Sequence, residues 1–318
     1  MWRFPFNLHK SGILGMNRRN VSFIFRYNER SRYPQVDDKL RTKLLLEDFS
    51  LATPTLLAVV RYQYEIKKFR KTIENLDAFA VKPARGAGGK GILVVSGRDG
   101  DGFVKPSGSI IGVHDINRHL SNILAGLYSL AGTPDVAIVE DLIRPEKMFE
   151  DLSHEGVPDI RIIVFRGYPV MAMLRLSTRA SDGKANLHKG AVGVGLDIGS
   201  GSCLHAVQYA KRVYRHPDTG MLLDTIAVPD WKNLLLLASR TYDITGLGYI
   251  GADLVVDRDR GAMLLELNAR PGLSIQVANG QGLLPRLETI EQKDDRPWPG
   301  PEERVRFSMG AFGDSFGH

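Results

Sequence analysis

The chain has 318 residues, of which 43% are hydrophobic and 25% are charged, proportions that are ordinary for a soluble globular protein. This length allows two domains or one large composite domain. The apolar stretches fall short of the ~20 residues that a membrane-spanning helix needs, and the N-terminus does not have the pattern of an export signal. Cys203 is the only cysteine, which excludes an internal disulfide framework, and we expect a cytoplasmic protein.

The excess of positive charge lies at the N-terminus. Residues 1–36 hold seven Lys and Arg against a single acid, Glu29, whereas the remainder is balanced at 35 basic and 35 acidic residues. A basic segment can dock on nucleic acid, an anionic membrane surface or an acidic polypeptide, and it can also be simply solvated. Because the body of the chain is neutral, we expect no nucleic-acid partner. Either Met1 or Met16 could be the start.

Hydrophobic periodicity and turn residues predict helices and strands that are interleaved without a regular βαβ alternation. In chain order these are a helix at 18–28, a helix from 37 or 38 to 48, a strand at 55–62, a helix at 66–73, strands at 78–83 and 92–96, a helix at 116–127, strands at 136–143, 160–165 and 170–174, a helix at 230–243 and a hairpin at 249–268. This order favours the α+β class.

Three regions follow from this pattern. Residues 1–36 form the basic N-terminal segment, and residues 37–291 form the main domain, with a nucleotide-clamping subdomain at about 78–143. The tail at 292–318 is rich in Pro, Gly and charge, and we expect it to be disordered.

A lysine on a predicted strand is followed by a glycine-rich loop. The lysine is Lys82, and the loop glycines are Gly86, Gly88, Gly89 and Gly91. Without Cβ atoms, backbone N–H groups can turn towards a polyphosphate and approach it closely, and Lys82 can add a point charge. A strand follows Gly91, so this is not the Gly-x-x-x-x-Gly-Lys-Ser/Thr loop that precedes a helix. A hairpin with a plain glycine turn is the open alternative.

Two acids and an amide interrupt the apolar hairpin at 249–268. We expect Val256 to face Met263 across this hairpin. That register places Asp253 opposite Glu266, with Asn268 on the same face as Glu266, because side chains alternate along a strand. Two buried neighbouring carboxylates are costly without a cation, and Mg²⁺ prefers such oxygen ligands. The hairpin predicts a magnesium–nucleotide site; the alternative is a pair of acids facing solvent.

With both features in place, the chain resembles the ATP-grasp superfamily. More narrowly, it resembles the glutamate ligases that extend ribosomal proteins and the α-L-glutamate ligase-like proteins. The likeness runs from about Asp38 to Gly282 and rests on these segments: 38–43, Val81-Lys82 with the glycine loop, 139–143, 159–161, 186–190, Asp253 and 266–272. It implies two α+β subdomains that clamp a nucleotide, with the N-terminal pre-grasp domain reduced to a short basic segment.

The resemblance also implies a role for each matching residue. Lys39 and Lys82 are expected to contact the ATP phosphates beneath the glycine loop. The adenine hinge is expected at Glu140, Asp141, Leu142 and Ile143. The phosphates, the metal and the acyl substrate are expected near Asn186, His188 and Lys189. Two Mg²⁺ ions, for which Mn²⁺ could substitute, are expected at Asp253, Glu266 and Asn268.

Arginines complete the expected site. Arg161 matches an arginine near the γ-phosphate, where its permanent charge can brace the transferring group. Arg175, Arg179 and Arg270 are candidates for holding an acidic substrate, because Arg pairs bidentately with carboxylates. The expected catalytic residues are therefore Arg161, Lys82, Asn186 and Arg270.

The expected activity is an ADP-forming carboxylate–amine ligation that passes through an acyl phosphate. The predicted substrates are an amino acid such as glutamate and an amino acid, peptide or protein. A phosphotransferase acting on a hydroxyl and a non-catalytic nucleotide-binding protein are the alternatives. Related ligases carry a domain of about 100 residues before the position of Lys39. A homo-oligomer or a partner protein could take the place of that domain.

Overall fold

The computed structural model describes residues 11–86, 88–129, 132–294 and 297–313. The chain divides into two compact units. The small unit comprises Asp37–Leu44 and Thr53–Arg144, and the large unit comprises the described residues of Met1–Val36, Leu45–Ala52 and Pro145–His318. Each unit has its own hydrophobic core, so each can be described by itself.

In the small unit, the described residues form seven strands in two antiparallel sheets. They are β1 (Leu56–Val60), β2 (Phe79–Pro83), β3 (Leu93–Val95), β4 (Gly97–Asp99), β5 (Gly102–Val104), β6 (Ile110–Ile111) and β7 (Ala137–Asp141). The four-stranded sheet has the order β1-β7-β2-β3 and the smaller sheet the order β4-β5-β6. Strand β7 is therefore central, with a partner strand on each side.

Helices Glu65–Ile73 and Val113–Leu124 supply much of the small unit's core, and helix Lys39–Asp48 begins in this unit. Spacing of three and four residues puts Ile66, Phe69 and Ile73 on one helical face. These side chains share a buried cluster with Phe79 and Val139 of the sheet. The apolar stripes that predicted the two helices are the surfaces that pack.

The large unit is built on one seven-stranded antiparallel sheet. Its strands are β8 (Asp159–Phe165), β9 (Tyr168–Leu176), β10 (Val192–Leu196), β11 (Cys203–Gln208), β12 (Lys211–Arg212), β13 (Tyr249–Asp257) and β14 (Gly261–Asn268). The order is β12-β11-β10-β9-β8-β13-β14. Every residue of β13 is buried, so both acidic residues on this strand, Asp253 and Asp257, are withdrawn from water.

Helices surround this sheet. They are Pro34–Asp37, Lys147–Glu150, Trp231–Thr245, Ser274–Asn279, Leu284–Glu291 and Pro301–Phe312, with 3₁₀ turns at Arg30–Arg32, Arg179–Ser181 and Leu187–Lys189. Together with the two sheets of the small unit, they confirm the α+β class. Across the described part of the chain, we find no helix with the length and apolar character to span a membrane.

Residues 11–36 of the basic N-terminal segment belong to the large unit. It contains α-helix Met16–Arg18, π-helix Arg19–Ile24 and α-helix Phe25–Tyr27, which follow one another without a break and which we call the N-terminal helix (residues 16–27). After this helix, the Asn28 side chain exchanges two hydrogen bonds with the backbone of Tyr249, at 2.8 and 2.7 Å. The segment is thereby fixed to the start of β13.

The expected disorder after residue 292 is wrong for residues 301–312. These residues form helix Pro301–Phe312, which buries Val305 and Phe312 against the core. Arg304 is fully buried, and its guanidinium donates to Asp243 at 2.8 Å and to Ser239 at 3.2 Å. The composition of the tail predicted solvated charged residues, and it did not reveal that Arg304 pairs with Asp243. Residues 295, 296 and 314–318 lie outside the described residues.

Replacing the buried arginine tests this docking. We expect Arg304→Ala to lower the free energy of unfolding by about 3 kcal/mol, because it removes a buried ion pair and leaves a void. Arg306→Ala, on an exposed face of the same helix, should change it by less than about 0.5 kcal/mol. Urea denaturation followed by circular dichroism measures both values. Equal stability of the two variants would contradict the packing of this helix.

Candidate active site

The hairpin of β13 and β14 brings the predicted oxygen ligands together. Asp253 pairs directly with Glu266, as the sequence predicts, and the Asn268 amide donates to Asp253 Oδ2 at 3.2 Å. The expectation that Val256 faces Met263 is wrong by one residue, because Val256 pairs with Ala262. A bulge shifts the register between Asp253 and the residue after it, and alternation alone does not reveal a bulge.

A buried ion pair joins this hairpin to the neighbouring strand. Arg161 on β8 lies directly opposite Asp253 on β13. Its Nε donates to Asp253 Oδ1 at 2.7 Å and its Nη2 to Asp253 Oδ2 at 2.6 Å, which is a bidentate pair. Arg161, Asp253 and Glu266 therefore form one row across three adjacent strands.

A second arginine meets the same carboxylate. Arg175 on β9 lies opposite Asp159 on β8, and its guanidinium forms a bidentate pair with the Asp159 carboxylate. Its Nη2 also lies 3.0 Å from Asp253 Oδ2. The sequence suggested that Arg175 holds an acidic substrate; it binds two carboxylates of its own sheet instead. Its cross-strand position opposite Asp159 explains this, and only the strand register reveals it.

Burial and the neighbouring arginines together set the pKa values of the two aspartates. Burial raises the pKa of Asp253, but Arg161 and Arg175 outweigh burial and bring this pKa down to about 2. Burial raises the pKa of Asp159 to about 6, against the opposing effect of Arg175, and the charge of Asp253 adds to the rise. Asp253 is therefore an anion over the whole physiological range, which is the form that binds a metal ion.

The donor set of the hairpin fits Mg²⁺. Among the contacts between described residues, one hydrogen bond reaches Asp253 Oδ1 and three donors reach Oδ2. Each carboxylate oxygen offers two lone pairs, so Oδ1 keeps capacity for a metal. No group of three or more His, Cys, Asp and Glu side chains occurs in a metal-binding arrangement in the described ranges. The hairpin combines two carboxylates with an amide, and hard oxygen donors of this kind suit Mg²⁺.

The predicted loop residues of the large unit lie in a 3₁₀ turn. Asn186 caps this turn by accepting a hydrogen bond from the His188 N–H at 3.0 Å, and His188 and Lys189 are exposed. Arg270 is also exposed, with its guanidinium carbon 5.0 Å from the centre of the Tyr33 ring. Their roles in phosphate or substrate binding stay predictions.

In the small unit, Glu140 on β7 lies between two lysines. Glu140 Oε2 is 2.5 Å from Lys82 Nζ, and its Oε1 is 2.8 Å from Lys43 Nζ. Lys43 is buried and also donates to the Thr53 hydroxyl at 3.0 Å and to the Pro54 carbonyl. Burial raises the pKa of Glu140, but Lys82 and Lys43 outweigh burial and lower it below its usual value.

Lys43 was not identified from the sequence as a functional residue. The available signal is its position on helix Lys39–Asp48, one turn after Lys39. The predicted adenine hinge lies at the end of β7, where the Asp141 N–H donates to the Thr55 carbonyl at 2.9 Å. Leu142 and Ile143 follow the strand and are half-buried. Base recognition by these main-chain groups stays a prediction.

The glycine loop connects β2 to β3 and is tied to the helix that begins at Lys39. Lys39 Nζ donates to the Gly86 carbonyl at 2.7 Å. Gly88, Gly89 and Gly91 have positive φ angles of 64°, 72° and 74°, which other residues rarely adopt. A Cβ at Gly91 would lie 2.5 Å from the Tyr128 ring. The loop conformation therefore requires glycine at 91, and Ala87 lies outside the described residues.

Comparison with known proteins identifies the class. A family model described as sugar-transfer associated ATP-grasp matches residues 18–292, and the fold of the chain is the ATP-grasp fold. The chain therefore belongs to the sugar-transfer associated ATP-grasp family. This confirms the ATP-grasp part of the predicted resemblance; the narrower glutamate ligase-like assignment is not confirmed. No curated protein matches the chain.

Solved structures of three ligases or synthetases are similar to the chain at low identity. The ATP-grasp ligase PsnB, in complex with a minimal precursor, has 14% identity and a TM-score of 0.45, covering 84% of this chain and 63% of its own. D-alanyl-alanine synthetase A from Vibrio cholerae has 10% identity and a TM-score of 0.48, covering 88% and 66%. The D-cycloserine synthetase DcsG has 14% identity and a TM-score of 0.44, covering 98% and 82%. Likenesses this weak support no inference about substrate.

Replacing Glu140 tests the buried lysine–glutamate cluster. In the unfolded chain this carboxyl titrates near its usual pKa of 4.5, and in the folded chain its pKa is lower. The ionised Glu140 carboxylate therefore stabilises the folded chain fully above pH 4.5, and this stabilisation is lost as the pH falls towards the lowered pKa. Glu140→Gln should lower the free energy of unfolding by about 3 kcal/mol at neutral pH, since two ammonium groups lose their counter-ion. It should also make the free energy of unfolding depend less on pH in the acid range.

Urea unfolding at a series of pH values measures both effects. The matched control is Glu74→Gln, because Glu74 is exposed and lies 3.9 Å from its partner Arg70. That control should change the free energy of unfolding by less than about 0.5 kcal/mol. A Glu140→Gln variant as stable as the control would rule out the buried cluster.

Proposed function

We propose that the chain is an ATP-dependent, Mg²⁺-requiring carboxylate–amine ligase that forms ADP. The observation that carries this proposal is the row of Arg161, Asp253 and Glu266 on three adjacent strands, with Asn268 in contact with Asp253. A buried carboxylate kept ionised by arginine, next to a second carboxylate, suits a metal–phosphate site better than a structural role alone.

The proposed reaction has two steps. An oxygen of the substrate carboxylate attacks the γ-phosphorus of ATP, which forms an acyl phosphate and releases ADP. The amine nitrogen then attacks the acyl carbon, the phosphate leaves and the nitrogen loses a proton, which gives an amide. Neither step needs a covalent bond to the protein, so the half-buried Cys203, whose pKa burial raises to about 11, has no part in it.

The residues of the chain supply charge and position. We assign the phosphates of ATP to Lys39, Lys82 and the glycine loop of the small unit. We assign the transferring phosphoryl group to Arg161, whose guanidinium can stabilise the negative charge of that group. Bound at Asp253, Glu266 and Asn268, two Mg²⁺ ions would neutralise phosphate charge during transfer.

The substrates are proposed by chemical class. The resemblance to glutamate ligases supports an amino acid such as glutamate as one of them. The family description supports testing amino sugars among the amines. Arg270 and Arg179 are exposed on the large unit, and we assign the binding of an acidic substrate to them rather than to the buried Arg175.

The test is product formation by the purified chain. ATP, Mg²⁺, pooled amino acids, short acidic peptides and amino sugars are incubated with the protein, and new amides are identified by mass spectrometry. We expect carboxylate-dependent ADP release and an amide product in the wild type. Glu266→Gln keeps the shape of the side chain but removes its charge, and it should lower turnover at least about a hundredfold.

Glu288→Gln is the matched control. Glu288 lies on helix Leu284–Glu291, outside the hairpin, and is 2.8 Å from Arg18. This variant should keep full turnover. Phosphate transfer to a hydroxyl without an amide would replace the ligase with a phosphotransferase. ATP binding without turnover on the whole panel would favour a non-catalytic nucleotide-binding protein. Full activity of Glu266→Gln would refute the metal assignment.

A further inference from the structure

The N-terminal helix presents an apolar face to solvent. Met16, Val21 and Phe25 are 63%, 65% and 59% exposed, whereas Phe23 and Ile24 of the same helix are buried. Single exposed apolar residues are ordinary on protein surfaces. Three of them on one helix need a reason.

The π-helical turn contains Val21 and ends immediately before Phe25. Within Arg19–Ile24 the hydrogen bonding follows the i to i+5 pattern, and the Phe25 N–H donates to the Asn20 carbonyl, five residues back. Phe25 follows Val21 after four further residues, close to an α-helical turn. Val21 and Phe25 therefore lie on about the same side of the helix.

The exposure is not caused by a detached helix. The Arg18 guanidinium lies 2.8 Å from Glu288, and that of Arg26 lies 2.6 Å from Glu291. Arg19 Nη1 donates to the Pro271 carbonyl at 2.8 Å. These contacts and the burial of Phe23 and Ile24 hold the inner face on the large unit, so the outer face is presented in a fixed orientation.

The arginine beside this face is Arg30, since Arg18 and Arg26 pair with Glu288 and Glu291 on the large unit. Residues 11–36 contain five arginines and a single acid, Glu29, and they contain no lysine or aspartate. The Arg30 guanidinium carbon lies 5.4 Å from the centre of the Phe25 ring, so charge and apolar surface are contiguous. Basic residues beside an apolar helical face are the combination that adsorbs to anionic lipid.

We propose that the outer face of the N-terminal helix docks on an anionic membrane surface, with Val21 and Phe25 entering the headgroup region and Arg30 contacting lipid phosphate. A second copy of the chain is disfavoured, because a self-complementary contact through this face would bring Arg30 of one copy close to Arg30 of the other. A stable protein interface buries about 800 Å² per partner, more than three side chains offer. Adsorption to lipid needs only a narrow apolar face supported by charge.

Vesicle co-sedimentation of the full chain tests the proposal. We expect binding to vesicles that contain phosphatidylglycerol, weakening with added salt, and little binding to phosphatidylcholine alone. The double variant Val21→Gln, Phe25→Gln should lower the affinity at least about tenfold, because its side chains no longer favour the lipid. Arg30→Gln should lower it about fivefold, and on anionic vesicles only.

Phe49→Gln is the matched control, because Phe49 is 50% exposed elsewhere on the large unit and should leave binding unchanged. Circular dichroism of each variant confirms that the fold is kept. The proposal fails if the wild type stays in the supernatant, or if the double variant binds like the wild type. It also fails if sedimentation velocity finds a dimer that the double variant abolishes, since the face would then bind a second copy.

Discussion

The buried pair between Arg161 and Asp253 is the interaction on which the large unit's site depends. Neither group could be buried alone, because an unpaired charge costs several kcal/mol in the interior of a protein. Arg175 and Asp159 extend the pair to two cations and two anions on β8, β9 and β13. The network fixes the Asp253 carboxylate in place and keeps it ionised, which is what a metal ligand requires.

The small unit uses the same principle with lysine. Glu140 satisfies the ammonium groups of Lys43 and Lys82 on the central strand of its sheet. A lysine side chain keeps rotational freedom that an arginine fork lacks, so Lys82 can exchange its partner more readily than Arg161 can. In both units, ion pairs across neighbouring elements determine which charged side chains can respond to a ligand.

Local patterns predicted the features that depend on neighbouring residues. Alternation in one hairpin was enough to place Asp253 opposite Glu266, and apolar spacing predicted helix Glu65–Ile73. The features that local patterns did not predict depend on residues far apart in the sequence. Lys43 is 97 positions from Glu140 in the sequence, and Arg304 is 61 positions from Asp243, so no local pattern revealed either ion pair. The bulge beside Asp253 has no sequence signature.

The central claim is that Asp253, held ionised by two arginines, is a metal ligand at the ATP site. Electron paramagnetic resonance of Mn²⁺, titrated into the chain with ATP present, tests it directly, because bound and free Mn²⁺ give different signals. The wild type should bind Mn²⁺, and Asp253→Asn should bind it at least about tenfold more weakly. Equal Mn²⁺ affinity of the folded variant and the wild type would contradict the claim.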